Sequence, residues 1–383
     1  MKKECRKREV FYIAGYDPRG YRHYYTMFKK NLILQNEISN YDFELSKSEA
    51  KEKLYPHWHI KTKTTNIKYT FLAWNDIVKK NWSENIKDAL YDCYSFFKIY
   101  TITGLFIKFA KESFNQLITG YYPFFYVLLS SIFTFFCAFS ALFYFKENFH
   151  LFFAILAFIL CLLVLPRIFH KLGKKLAVFW IARICSFCAN WEKNKQGELE
   201  QRMKQFSEYI FECLKKYADD EDFELILCAH SVGTILCIDV LTQVLQKCEK
   251  ENINFKNLKV LTLGECIPLV SYQKKSCDFR KNLEYLGTKN LIWYDFTSII
   301  DGACFPQVDF IRTSGVKANF GPKYFSAKFH TLYEKQNYKK IKKDKYKAHF
   351  LYLFATQFKG MYNFFDFVVE QDMLEEKINQ RRI

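Results

Sequence analysis

The chain has 383 residues, 50% of them hydrophobic and 19% aromatic, which is enough to bury a sizeable core as one large domain or two smaller ones. Its formal net charge of +17 suits either nucleic acid or an anionic membrane face. The basic residues are dispersed along the chain and form no base-stacking module, so nucleic acid is set aside as a partner.

The charged start, Met1 to Arg8, leads to no small-residue cleavage pattern, and no signal peptide is expected. Val10-Phe11-Tyr12-Ile13-Ala14 then reads as a strand, Gly15-Tyr16-Asp17-Pro18-Arg19-Gly20 as a loop, and a helical pattern follows from Tyr24 to about Leu34. In a serine hydrolase such a loop gives a backbone N–H to the oxyanion, and the Tyr16 N–H is the candidate. A phosphate-binding loop would need a Lys-Ser/Thr pair that does not follow here. Residues 36–66 are polar and mixed and receive no assignment. Within them His57 and His59 flank Trp58, but no third ligand lies near, so they read as surface or loop histidines and not as a metal pair. Ile67 to Trp74 is the next strand, with Asn75-Asp76 as a helix start.

The helical, aromatic stretch from Asn81 to Thr119 leads into two uncharged runs, Tyr121 to Phe145 and Phe149 to Pro166, joined by Lys146-Glu147-Asn148. Each is about as long as a helix needs to cross a hydrocarbon core, which predicts transmembrane helices near 121–145 and 149–166. The hairpin and its flanking helices form a membrane insertion over 101–200, between 1–100 and 201–383 as the two parts of one soluble domain. Lys108, Lys111, Arg167, Lys171, Lys174 and Lys175 flank the hairpin, so the positive-inside rule puts both soluble parts in the cytoplasm. Thirteen cysteines without framework spacing agree with a reducing compartment. The one C-x-x-C, Cys185 to Cys188, lies in an apolar helical stretch and reads as core, not as a redox or zinc motif. Leu176 to Trp191 and Glu198 to Tyr217 are helices, the second amphipathic through Met203, Phe206, Ile210, Phe211 and Leu214.

The chain is organised around Leu225 to Thr234, where an apolar strand stops at Ala229-His230-Ser231-Val232-Gly233 and an apolar helix follows at once. A serine in that sharp turn holds its hydroxyl clear of the chain, and the small Ala229 and Gly233 let strand and helix pass closely. The Val232 N–H becomes the second oxyanion candidate. Leu258 to Gly264 and Asn290 to Phe296 are further strands, so the expected fold is α/β, a mostly parallel sheet with helices on both faces. A serine nucleophile needs a base and an acid, in the chain order Ser, Asp/Glu, His. Asp301, in the loop past a strand end, ranks ahead of Asp295 inside the strand and Asp309 farther on. His349, expected just before an aromatic-rich helix, is preferred to His330 as base, and His230 points away from the serine in a structural role.

With these residues in view the chain resembles the α/β-hydrolase superfamily. More narrowly, it looks like bacterial hydrolases with a two-helix membrane segment between a G-Y-D-P-R-G loop and an A/G-H-S-x-G turn. The resemblance rests on Gly15 to Gly20, Phe71 to Val78, Ala229 to Gly233, Thr262 to Pro268, Ser298 to Asp301 and His349 to Tyr352. It implies Ser231 as nucleophile, Asp301 as acid, His349 as base, Tyr16 and Val232 as oxyanion donors, and a bacterial inner membrane. The expected activity is cleavage of a carboxylic ester or thioester, with an acyl lipid of the bilayer as substrate class and no metal or organic cofactor. The competing expectation is a catalytically silent hydrolase fold serving as a membrane interaction module, since Ala229 stands where the superfamily has glycine.

Overall fold

The computed structural model describes residues 5–83 and 85–380, so Met1 to Glu4 of the charged start and Arg381-Arg382 of the tail lie outside the described residues. The chain forms two compact units, an α/β unit of Met1–Asn81 with Trp191–Ile383 and a helical unit of Trp82–Asn190. The helical unit thus begins and ends earlier than the 101–200 insertion drawn from hydropathy, because the amphipathic segment after Asn81 packs with the hairpin helices.

Eight strands make up the α/β unit: β1 (Lys7–Ile13), β2 (Phe43–Leu45), β3 (His57–Thr62), β4 (Asn66–Leu72), β5 (Phe223–His230), β6 (Leu258–Leu263), β7 (Ile292–Thr297) and β8 (Lys323–Ser326). They join one sheet in the order β2-β3-β4-β1-β5-β6-β7-β8. The run from β4 to β8 is parallel, and β3 and β2 add on antiparallel. β5 and β6 are buried at every position. Since alternate side chains point to opposite faces, the sheet is covered on both sides there, which is why these strands read as continuous apolar runs.

β1 sits at the centre. The chain runs from it to the outer strand β2 and returns inward through β3 to β4 beside β1, then after the helical unit takes the other edge of β1 with β5 and continues outward to β8. The strand order therefore reverses between β1 and β5, and the crevice beyond their carboxyl ends is where open α/β sheets bind ligands. At the opposite end of these strands a buried Arg8 is shared by Glu224, at 2.7 Å, and the carbonyls of Val368, Glu370 and Asp372, which ties the C-terminal segment to the sheet.

In the helical unit, helices Phe114–Asn148 and Leu151–Lys175 have 35 and 25 residues and are long and apolar enough to cross a membrane. At 1.5 Å per residue even the shorter one spans about 37 Å, against a hydrocarbon core of about 30 Å. Only 11% and 6% of their most apolar windows are buried, so the protein's own core does not account for their hydrophobicity. Ala138 on the first and Ala154 on the second are buried, the rings of Phe139 and Phe158 lie 5.3 Å apart, and the Tyr126 hydroxyl donates to the Phe169 carbonyl at 2.8 Å. Small residues at such a contact let two apolar helices approach closely.

The helix Tyr21–Ser39 extends the Tyr24 to Leu34 period expected from sequence, Glu198–Lys216 matches its expected span to within one residue, and Val178–Ala189 is shorter than the stretch Leu176 to Trp191. His57 and His59 lie on β3, where they alternate with a fully buried Trp58, and not in a loop. β2 and β3 occupy the stretch left unassigned, and β8 was not anticipated.

Candidate active site

The parallel pairing of β1 with β5 sets Ile13 opposite Ala229, so the two strands end together. Beyond β5, Ser231 has φ +56°, a left-handed conformation that costs a non-glycine residue roughly 1–2 kcal/mol. The surroundings hold it there. The Ser231 N–H donates to the Leu263 carbonyl at 3.0 Å, and the Ser231 carbonyl accepts from Thr234 N at 2.9 Å and Thr234 Oγ1 at 2.6 Å. Helix Gly233–Lys250 starts immediately, and a methyl group on Gly233 would lie 2.4 Å from the Ile13 carbonyl oxygen and 2.7 Å from that of Ala14. No side chain fits there, so glycine is required by contact and not by φ.

The loop after β1 meets the serine from the other side. A methyl group on Gly15 would sit 2.9 Å from Ser231 Cβ and 3.3 Å from its Oγ. The Ala14 carbonyl is pinned by Trp74 Nε1 at 2.9 Å, and Tyr16 is buried with its hydroxyl donating to the Asn81 carbonyl at 2.9 Å. The backbone of Gly15 and Tyr16 is thus held against the serine. The Val232 N–H, the first beyond Ser231, finds no acceptor among the described residues.

Asp301 and His349 meet directly: His349 Nδ1 bonds Asp301 Oδ1 at 2.9 Å, with both residues buried. The same carboxylate oxygen accepts the Ala303 N–H at 3.0 Å. Burial pushes the Asp301 carboxyl up, but the neighbouring His349, these hydrogen bonds and His230 outweigh it and leave its pKa below the ordinary value. The carboxylate therefore stays charged beside the imidazole. Oδ2 faces Gly264, which follows β6 with φ +54°, and a methyl group there would come within 3.0 Å of it.

The other acidic candidates lie elsewhere. Asp295 accepts from Thr262 Oγ1 at 2.6 Å inside the sheet, and burial raises its pKa, as burial and the Asp295 charge raise that of Glu265. Asp309 caps the short helix Phe310–Thr313 and accepts from the Tyr324 hydroxyl. His330 is exposed in a turn beside Tyr338. His349 differs from expectation in one respect: it lies inside the short helix Lys345–Phe350 and not before a helix. Asp344 caps that helix by accepting the Lys347 N–H, so the helix starts earlier than the aromatic run suggested.

His230 is fully buried and its Nε2 meets the His349 carbonyl at 3.0 Å, with the two rings 4.8 Å apart. Desolvation and the neighbouring His349 hold its pKa down to about 3. A neutral ring whose Nε2–H donates to that carbonyl fixes the backbone of His349. This contact, and the fit of Gly264 against Asp301, were not foreseen; the glycine following a strand was the legible signal for the second.

The arrangement can perform general-base chemistry: a buried, oriented imidazole backed by a charged carboxylate, at the same sheet edge as a strained serine and a helix N-terminus. No known family model, curated protein or solved structure matches this chain.

Proposed function

We propose that the protein is a membrane-anchored serine hydrolase of the α/β-hydrolase kind that cleaves a carboxylic ester or thioester. The observation that carries this reading is the buried Asp301–His349 pair, 2.9 Å apart, at the sheet edge where Ser231 takes its strained turn. In the proposed cycle His349 takes the proton of Ser231 and Oγ attacks the acyl carbon, while the Tyr16 and Val232 N–H groups hold the oxyanion. The tetrahedral intermediate collapses, the alcohol or thiol leaves with the proton from His349, and water releases the acid by the same steps in reverse.

Two helices able to span a bilayer and the basic flanks at Lys171, Lys174 and Lys175 support attachment to an anionic membrane, with the α/β unit on the cytoplasmic side. Attachment restricts the enzyme to what the bilayer offers, so an acyl lipid is the substrate class. Hydrolysis of short- and long-chain acyl esters and thioesters by detergent-solubilised protein tests the reading. Wild type should turn over at least one series, and Ser231→Ala and His349→Ala should each lose at least about 10³-fold in kcat. Turnover that survives both substitutions sinks the proposal.

A further inference from the structure

The loop that flanks Ser231 continues into a device the catalytic cycle does not use. Asp17 is buried and accepts from Arg19 Nε at 2.8 Å, from the Arg19 N–H at 2.9 Å and from the Tyr24 hydroxyl at 3.0 Å. Arg19 Nη2 closes the fork on the second oxygen of Asp17. The carboxylate thus holds the guanidinium in place, and its Cζ lies over two aromatic rings, 5.0 Å from the centroid of Tyr346 and 5.3 Å from that of Phe350.

Those rings are four residues apart on the helix Lys345–Phe350, with centroids 4.7 Å from one another, and His349 immediately precedes Phe350. The helix has six residues and follows a lysine-rich helix, Lys335–Lys343, that is exposed over most of its length. So short an element has little stability of its own, and its position depends on what grips it. His230 grips it from the sheet side, and Arg19 grips it from the loop beside the serine.

We infer that Arg19 is a positioning residue: it clamps the base helix to the loop flanking Ser231 and so sets the separation between serine and imidazole. The inference rests on the hydrolase reading above. Its chemistry is particular to arginine, whose planar fork can be held edge-on by a carboxylate while its face stacks on aromatic rings; lysine keeps the charge but neither the fork nor the face.

The test is the rate at which a small fluorophosphonate phosphonylates detergent-solubilised full-length protein, the serine Oγ–P bond forming as fluoride leaves, with unfolding midpoints measured in parallel. A displacement of about 1 Å in such a site costs on the order of 100-fold, so Arg19→Ala and Arg19→Lys should both be phosphonylated about 10- to 100-fold more slowly at a near-wild-type midpoint. Ethylguanidinium added to Arg19→Ala should restore part of the rate, and should do nothing for His349→Ala. A Tyr346→Leu, Phe350→Leu double variant should be slowed comparably, and adding Arg19→Ala to it should slow it little further. Wild-type rates in both Arg19 variants, or a loss that tracks a lowered midpoint without guanidinium rescue, would overturn the role of Arg19 alone. A wild type that is folded yet never phosphonylated would overturn the hydrolase reading and this role with it.

Discussion

The residue that most changes how the site is understood is His230. Its neighbour Ser231 was legible because a small-x-Ser-x-Gly turn between a strand and a helix is a local pattern, and Asp301 and His349 were legible through their order in the chain. His230 was expected to be structural, but what it supports depends on a partner 119 residues away, which no local pattern encodes. Burial has a consequence in solution. The folded protein keeps His230 neutral down to about pH 3, whereas the unfolded chain protonates it below about pH 6.5. Its contribution to stability is therefore complete above pH 6.5 and is lost as the pH falls from 6.5 towards 3, a change of a few kcal/mol. His349 opposes protonation and Asp301 favours it, so the charge on that pair moderates the slope. Urea melts at intervals across this window should show the wild-type midpoint falling with acid and a shallower fall in His230→Gln. Equal slopes would show that His230 is charged in both states.

At the scale of elements, the site is made by two strand ends held in register and by a helix that starts two residues after the serine. β1, β4, β5, β6 and β7 were readable because they are apolar and β-branched, β5 and β6 in runs long enough for strands buried on both faces. β2 and β8, of three and four residues, and the polar β3 lie outside the parallel strands or at the sheet edge, where propensity and burial leave little trace in composition. The Arg8–Glu224 bridge was equally hidden, since an arginine at the start of a strand usually reads as solvated. The close crossing of helix and strand gives a sharp expectation. Gly233→Ala drives a methyl group to within 2.4 Å of a backbone oxygen, so it should destabilise the α/β unit by about 1–3 kcal/mol and slow any serine chemistry. Denaturation of the variant beside wild type measures the first effect, and an unchanged midpoint would mean that the two backbones are not in contact.

For the whole molecule, the chain interrupts one sheet between β4 and β5 with a separate helical unit, and the two halves of the sheet still align around β1. Hydropathy located the hairpin but drew its unit too late, because the helix Ile86–Phe96 is amphipathic and packs within the helical unit through Ala89, Cys93 and Phe96. If the hairpin spans the membrane with its flanks inside, alkaline phosphatase fused after Asn148 should be active in cells and the same enzyme fused after Gln196 inactive; the reverse pattern would invert the assigned orientation.

Activation of Ser231 as a nucleophile is read most directly by covalent capture. Ser231 is only 4% exposed, so the reagent should be a small fluorophosphonate, applied to the full-length protein in detergent and followed by mass-spectrometric mapping. The expected result is a single adduct on Ser231 that disappears in Ser231→Ala and in His349→Ala. A folded wild type that acquires no adduct, or one that carries it on another residue, would contradict it.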